Sequence, residues 1–357
     1  MSRIRPYTEG DAGRVLALHR KMFPRLSRDT SSRYVAALTQ NPWRQNDIAP
    51  LVYEETSGDL IGFLGVMTRR MAFRGHPIRA AVLSSFMVDP ERGSPVVAAA
   101  LLRRVLDGPQ DLTYGDGASD RMRRLWEANG RTFVAHLSMR WIGIVSPARF
   151  AAQRLRPRGP ALRVTAAVLD RVSPIADRAV AGFTRATGGA RGGPSVRTRA
   201  MTSGELATRV GGIADRSVRP VYTPDELSWL LSYLGRSDGR APVRCLGVEL
   251  DGRQVGWIVV RHSIGDATIQ VLQMGSRPGH AGDVLRAAFS LSREEGAASV
   301  QGRVDAAILR ELWDHGCVLT RGPWFLIDAP DPELVHAVHA GDAFISSLEK
   351  ASLPDGW

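Results

Sequence analysis

Hydrophobic spacing divides the chain into two stretches with one element order. In the first, residues 3–7 read as a short strand, and Val15, Leu18 and Met22 recur at helical spacing behind Thr8-Glu-Gly-Asp11. That tetrapeptide fits a capping box, in which a Thr hydroxyl and an acidic side chain three positions on satisfy each other's orphan amides. A second helix is predicted from about Asp29 through Tyr34, Val35 and Leu38 to the break at Asn41-Pro42. From Leu51 the period changes to two: strands over 51–53, 60–66 and 79–88, with turns near Ser57-Gly58-Asp59 and Gly75-His76-Pro77, make an antiparallel meander. A turn at Asp89-Pro-Glu-Arg-Gly93, a helix opening at Ser94-Pro95, a strand over 112–114 and a helix ending at Asn129-Gly130 follow. Residues 132–145 then alternate as one half-buried strand.

The same order recurs. Thr202-Ser-Gly-Glu205 repeats the capping box and Gly256-Trp257 repeats Gly62-Phe63, both at an offset of 194; Leu312-Trp313 repeats Leu125-Trp126 at 187. Thr223-Pro-Asp-Glu226 caps a second helix with Pro at its favoured first position. Strands over 244–250, 254–262 and 267–274, a helix over 283–294, a strand over 299–304, a helix over 306–315 and a strand over 324–327 complete the copy. Trp126 and Trp313 read as core anchors. The organisation expected is an N-terminal domain over 1–147, a linker over 148–195 with a helix near 161–172, a second domain over 196–330 and a helical tail over 331–357.

At 357 residues two domains are the starting expectation. The formal charge of +11 changes little: of 47 basic residues only Lys21 and Lys350 are lysine, and the resulting 45 arginines suit a coding bias better than a binding code. Nucleic acid is not the partner this composition indicates. Nine arginines between Arg149 and Arg191 would suit contact with an anionic membrane surface, although a solvated linker is the reading adopted. Cys245 and Cys317 lack metal-ligand spacing, and His336 and His339 have no third ligand beside them, so no metal is expected. The absence of a signal-peptide core and of a long apolar run makes a cytoplasmic location the default. No Gly-Lys pair exists, which excludes a P-loop, and Gly235-Arg-Ser-Asp-Gly239 follows a helix where a nucleophile elbow needs a strand.

The stretch 87–130 carries the chemistry. A strand running into a tight turn and then a helix N-terminus seats phosphate, because orphan N–H groups and the helix dipole converge there. The segments IRPYTEGD, FMVDPERGSPVVAAALLRRVL and RLWEANGRTF resemble the opening strand, pyrophosphate loop and late helix of the GNAT superfamily of acyl-CoA-dependent N-acyltransferases, and the chain resembles a tandem pair of them. The resemblance implies an α/β (α+β) fold of two domains, each a mixed, mostly antiparallel sheet flanked by helices. It implies acetyl-CoA or another acyl-CoA as cosubstrate and a small-molecule or peptide amine as acceptor. Carried over by residue, pantetheine would run along Phe86, Met87 and Val88, the phosphates would meet Arg92, Gly93, Ser94 and Val96, and an N–H near Val88 would polarise the thioester.

Two departures qualify it. Pro95 stands near where the family wants a small N–H donor, and Trp126 and Trp313 stand where many members place a tyrosine that protonates the departing thiolate. Indole cannot act as that acid. Tyr114 and Asp116, at and just beyond the end of the fifth strand, are the remaining candidates: Asp116 to deprotonate the incoming ammonium, Tyr114 to donate to sulfur. The alternatives are a non-catalytic module binding acyl-CoA, a metabolite or a partner, and an aminoacyl-tRNA-dependent transferase, which the arginine excess permits.

Overall fold

Two sheets organise the protein, in a computed structural model that describes residues 2–24, 26–154, 196–213, 215–235, 242–263 and 267–349. The elements of the first stretch are β1 (Arg3–Pro6), α1 (Ala12–Met22), α2 (Arg28–Gln40), β2 (Leu51–Glu54), β3 (Leu60–Phe73), β4 (His76–Val88), α3 (Pro95–Leu106), β5 (Leu112–Ala118), α4 (Asp120–Ala128), β6 (Thr132–Phe133), β7 (Met139–Ile144) and α5 (Pro147–Arg154). Those of the second are β8 (Val196–Ala200), α6 (Ser203–Gly211), β9 (Val218–Pro220), α7 (Pro224–Gly235), β10 (Arg244–Leu250), β11 (Arg253–Ser263), β12 (Thr268–Ser276), α8 (Ala281–Glu294), β13 (Ser299–Arg303), α9 (Leu309–Asp314), β14 (Val318–Arg321), β15 (Trp324–Asp328) and α10 (Pro332–His339).

Local chemistry explains the elements. Thr8 donates through N–H and Oγ1 to Asp11, each at 2.9 Å, which closes the first capping box, and Thr223 N–H and Glu226 N–H each donate to the other's side chain at 2.8 and 3.3 Å, which caps the helix after Thr223. Arg74-Gly75 and Asp251-Gly252 hold positive φ in the two-residue turns that join β3 to β4 and β10 to β11. Helix α3 lays Val97, Leu101, Leu102 and Val105 on Ile61, Leu64, Val66, Ala81 and Leu83. These apolar positions were spaced for that face.

The first sheet runs β1-β2-β3-β4-β5-β15-β6 with β9 on β3, and the second runs β14-β7-β13-β12-β11-β10-β8. Each is mixed: β4–β5 and β12–β13 pair in parallel, most other neighbours antiparallel. The two copies therefore exchange their last strands. β15, late in the second stretch, enters the first sheet between β5 and β6, whereas β7, late in the first, pairs with β13.

The compact units follow this exchange. One comprises Met1–Met139, Ser203–Asp238 and Arg321–Trp357, the other Arg140–Thr202 and Gly239–Thr320. These segments cross the linear boundaries expected at 147, 195 and 330, because the pairing partners of β7 and β15 lie in the opposite copy. The single strand expected over 132–145 is likewise broken: after β6 the chain turns through His136–Ser138, where Ser138 Oγ donates to Val134 O at 2.7 Å and accepts Phe325 N–H at 2.9 Å, before β7 begins. The helix expected near 161–172, the Gly235–Gly239 turn and most of the arginine-rich segment lie outside the described residues.

Candidate functional site

Strands β4 and β5 stay paired only from Ala80–Leu112 to Leu83–Gly115, yet β4 continues to Val88 and β5 to Ala118. The cause lies in β4. Between Ser84, opposite Gly65, and Met87, opposite Phe63, two residues face the single Leu64, and Ser85 takes φ of +41°. This bulge turns the strand away from β5 and leaves both inner edges open. Phe86 and Val88 are half-buried along the opened edge, and Met87 is buried.

The strand then enters the loop before α3. Gly93 donates its N–H to Asp89 O at 2.7 Å, and an added Cβ would strike Val88 Cγ1 and stand 2.7 Å from that carbonyl, so only glycine fits. Ser94 is the N-cap and Pro95 the first helical residue. Among the described residues, the N–H groups of Ser94 and Val96 have no acceptor, and the Val96 side chain is exposed. Two donors thus remain for an anion where Pro95 has removed a third.

Arg92 is not aimed there. Its guanidinium pairs with Asp59 at 2.9 Å and with Glu55, and the Asp59 bond leads the effects that raise its pKa. Lys21 Nζ is held in the same way by Asp89 at 2.9 Å and Glu91 at 2.8 Å. Burial pushes the Asp89 carboxyl up, but Lys21 and the N–H groups of Glu91 and Arg92 outweigh it and hold it below the usual carboxylate range. The loop therefore carries two cations against four carboxylates. None of these pairings had a sequence signal, since Glu55 and Asp59 precede Arg92 by more than thirty residues.

Tyr114 and Asp116 are brought to the gap. Tyr114 is buried one position before the last β4–β5 pair, opposite Val82, with its ring stacked on Phe325 at 5.3 Å. Asp116 lies just past that pair, buried, opposite Phe325 on the β15 side. Trp126 does not reach it: fully buried, its Nε1 donates to Ile327 O at 3.2 Å, an anchor for the inserted β15.

The second copy repeats the gap with different contents. β12 and β13 part after Val271–Gly302, with Leu272 as the bulge. Trp257 lies over Gly275 of β12, and Trp141 over Gly302 of β13 with indole atoms 2.9 Å from where a Cβ would stand, so both strand ends are covered by indole. Trp313, expected in the core, is 78% exposed. The capping bonds explain the error: Arg131 N–H reaches Trp126 O and Cys317 N–H reaches Leu312 O, so buried Leu312, at an offset of 186, is the counterpart of Trp126.

A cavity of about 180 Å³ lies elsewhere, lined by Tyr7, Asn41, Arg44, Gln45, Asn46 and Thr68 among others, and no expected site residue lines it. Cys245 and Cys317 are free, their thiols pushed up to about 12 and about 11 by burial. Among the described residues, no group of three or more His, Cys, Asp or Glu could hold a metal, and no helix is long and apolar enough to cross a membrane.

The fold matches that of solved GCN5-related N-acetyltransferases, and its two mixed sheets are consistent with tandem domains of that kind. A GCN5-related N-acetyltransferase from Kribbella flavida matches 93% of this chain and 72% of its own at TM-score 0.58 and 14% identity. One from Anabaena variabilis ATCC 29413 matches 93% and 74% at 0.59 and 11%. A conserved Enterococcus faecalis V583 protein of unknown function, described as a probable N-acyltransferase, matches 92% and 73% at 0.58 and 10%. Identities this low speak to fold alone. No protein-family model and no curated protein matches the sequence.

Proposed function

We propose that the protein is an acyl-CoA-dependent N-acyltransferase, transferring acetyl to a primary amine in the gap of the first sheet. The observation that carries this reading is the parting of β4 from β5 after Leu83–Gly115, directly before an α3 N-terminus with two N–H donors to spare. Pantetheine would bond along the open edge at Phe86, Met87 and Val88, and the pyrophosphate would meet Ser94 and Val96 beside Gly93, with Arg92 recruited from its carboxylates. The amine nitrogen attacks the thioester carbonyl, a C–N bond forms and the C–S bond breaks. Asp116 takes one proton from the ammonium before attack, the Tyr114 phenol gives a proton to the departing CoA sulfur, the second nitrogen proton released as the amide forms goes to the Tyr114 phenolate, and solvent exchange resets Asp116. The second copy is assigned a structural role, because indoles cover its gap.

Calorimetry with acetyl-CoA, followed by a free-thiol assay over an amine panel, tests the reading. Micromolar-range binding is expected, with transfer lost in Asp116→Asn at unchanged CoA affinity. Folded protein that binds no CoA would overturn it. The four carboxylates around Lys21 and Arg92 favour a second reading, a non-catalytic module, and CoA binding with no transfer to any amine would select it.

A further inference from the structure

On the α2 side of the first sheet, a buried cation has no carboxylate bonded to it among the described residues. Arg69 of β3 is 1% exposed. Its Nη1 donates to Thr68 O at 3.0 Å and its guanidinium lies 4.4 Å over the ring of Trp43. Its Nε and Nη2 have no acceptor among the described residues, and the buried Trp43 Nε1 has none either. Nε–H and Nη2–H form one straight edge of the guanidinium, two parallel donors spaced to meet the two oxygens of a carboxylate.

Arg69 shares a face of the sheet with Tyr114. Arg69 is opposite Ala80, which pairs Leu112, while Met67 is opposite Val82, which pairs Tyr114. Residues 67 and 69 share a face, so Arg69 and Tyr114 lie on one side of the sheet, two positions apart along the strands. The groups that feel the guanidinium charge are Tyr114, Tyr222, Tyr233 and Glu349. Glu349 is the one carboxylate among them, and it accepts Tyr222 Oη, Ser346 N–H at 2.6 Å and Ser346 Oγ at 2.8 Å. Burial pushes its carboxyl up, toward the neutral form. Burying a guanidinium without a hydrogen-bonded anion is costly, and a fold keeps such a group where a ligand completes it.

We infer that Arg69 is the anchor for a carboxylate carried by the acceptor, which makes the acceptor an amino acid or a similar molecule bearing both an amine and a carboxylate. The term acceptor rests on the acyltransferase reading; the binding of the carboxylate does not. The test is thermal shift and calorimetry of the full chain, without CoA, against free α-amino acids and the matching carboxamides. The acids are expected to bind about tenfold to a hundredfold tighter than their amides, the range of a charge-assisted pair. Arg69→Gln should erase that ratio. Arg69→Lys, which keeps the charge without the fork and guards against a folding defect, should reduce it. Equal binding of acids and amides by the native protein, or a ratio unchanged in either folded variant, overturns the inference. Transfer to amines without acid preference would remove this subsite and leave the acyltransferase reading standing. Acid-selective binding with no transfer would do the reverse.

Discussion

The exchange of β7 and β15 predicts that the first copy cannot fold by itself. A fragment of residues 1–147 holds every strand of the first stretch, yet its sheet would lack the strand between β5 and β6. In the whole chain that place is filled by β15, whose Phe325, Leu326 and Ile327 are each at most 1% exposed. Burying an apolar side chain of this size contributes ~1.5–3 kcal/mol, so three contribute roughly 5–9 kcal/mol before any ladder hydrogen bond is counted. A domain's whole stability is on the order of 5–15 kcal/mol. Removing β15 also strips the acceptor from Trp126 Nε1 and exposes Tyr114, which stacks on Phe325. The fragment should therefore show little cooperative urea unfolding by circular dichroism and should bind a hydrophobic dye, and co-expression with residues 148–357 should restore a cooperative transition. A fragment 1–147 that unfolds alone with the midpoint of the full chain would refute the reasoning.

Other consequences are more local. His19, buried, bonded to Ser31 Oγ at 3.1 Å and stacked on Tyr34, has its pKa pushed down to about 4 by burial, so the native state keeps it neutral while the unfolded chain protonates it near 6.5. Its contribution is complete above pH 6.5 and is lost as pH falls toward 4, a change of about 3 kcal/mol that urea titrations should show and His19→Gln should flatten. Trp126→Phe should cost about 1–3 kcal/mol through the lost Ile327 bond and the void, with CoA affinity unchanged; lost affinity at full stability would place the indole in the gap instead. The pair Asp59→Asn and Glu55→Gln, which frees Arg92, should tighten CoA binding and steepen its salt dependence in calorimetry, and weaker binding would show that those carboxylates position Arg92 for the phosphates.

Periodicity and capping residues made the local elements legible. Thr8-Glu-Gly-Asp11 and Thr223-Pro-Asp-Glu226 start helical turns for the reason their spacing states, and Ser94-Pro95 opens α3. What stayed hidden was the partner of each strand. The apolar run Trp324-Phe-Leu-Ile327 says that the strand is buried; it does not say in which sheet, and a strand inserted from a distant copy looks the same as one that stays home. β9 escaped notice because three residues carry no period. Trp313 misled because matching the indoles sets the offset one residue away from the one that the capping glycines require: Gly130 and Gly316, both at positive φ, differ by 186. A backbone cap is the safer ruler, since only glycine satisfies it cheaply, whereas a surface position accepts any side chain.

The candidate site divides along the same line. Gly93 and the Ser94-Pro95 helix opening are properties of neighbouring residues, and FMVDPERGSP contains enough to place them, whereas the bulge at Ser85 carried no such signal. The charge state of the loop is not, because Lys21, Glu55 and Asp59 arrive from α1 and the β2–β3 turn. On the proposed acyl-CoA reading, a pyrophosphate would compete with four carboxylates for two cations at the helix N-terminus. Exposed ion pairs of this kind are individually weak, so backbone donors would tip the competition toward a doubly charged pyrophosphate. Those donors would be the N–H groups of Ser94 and Val96, and Pro95, between them, has removed the third.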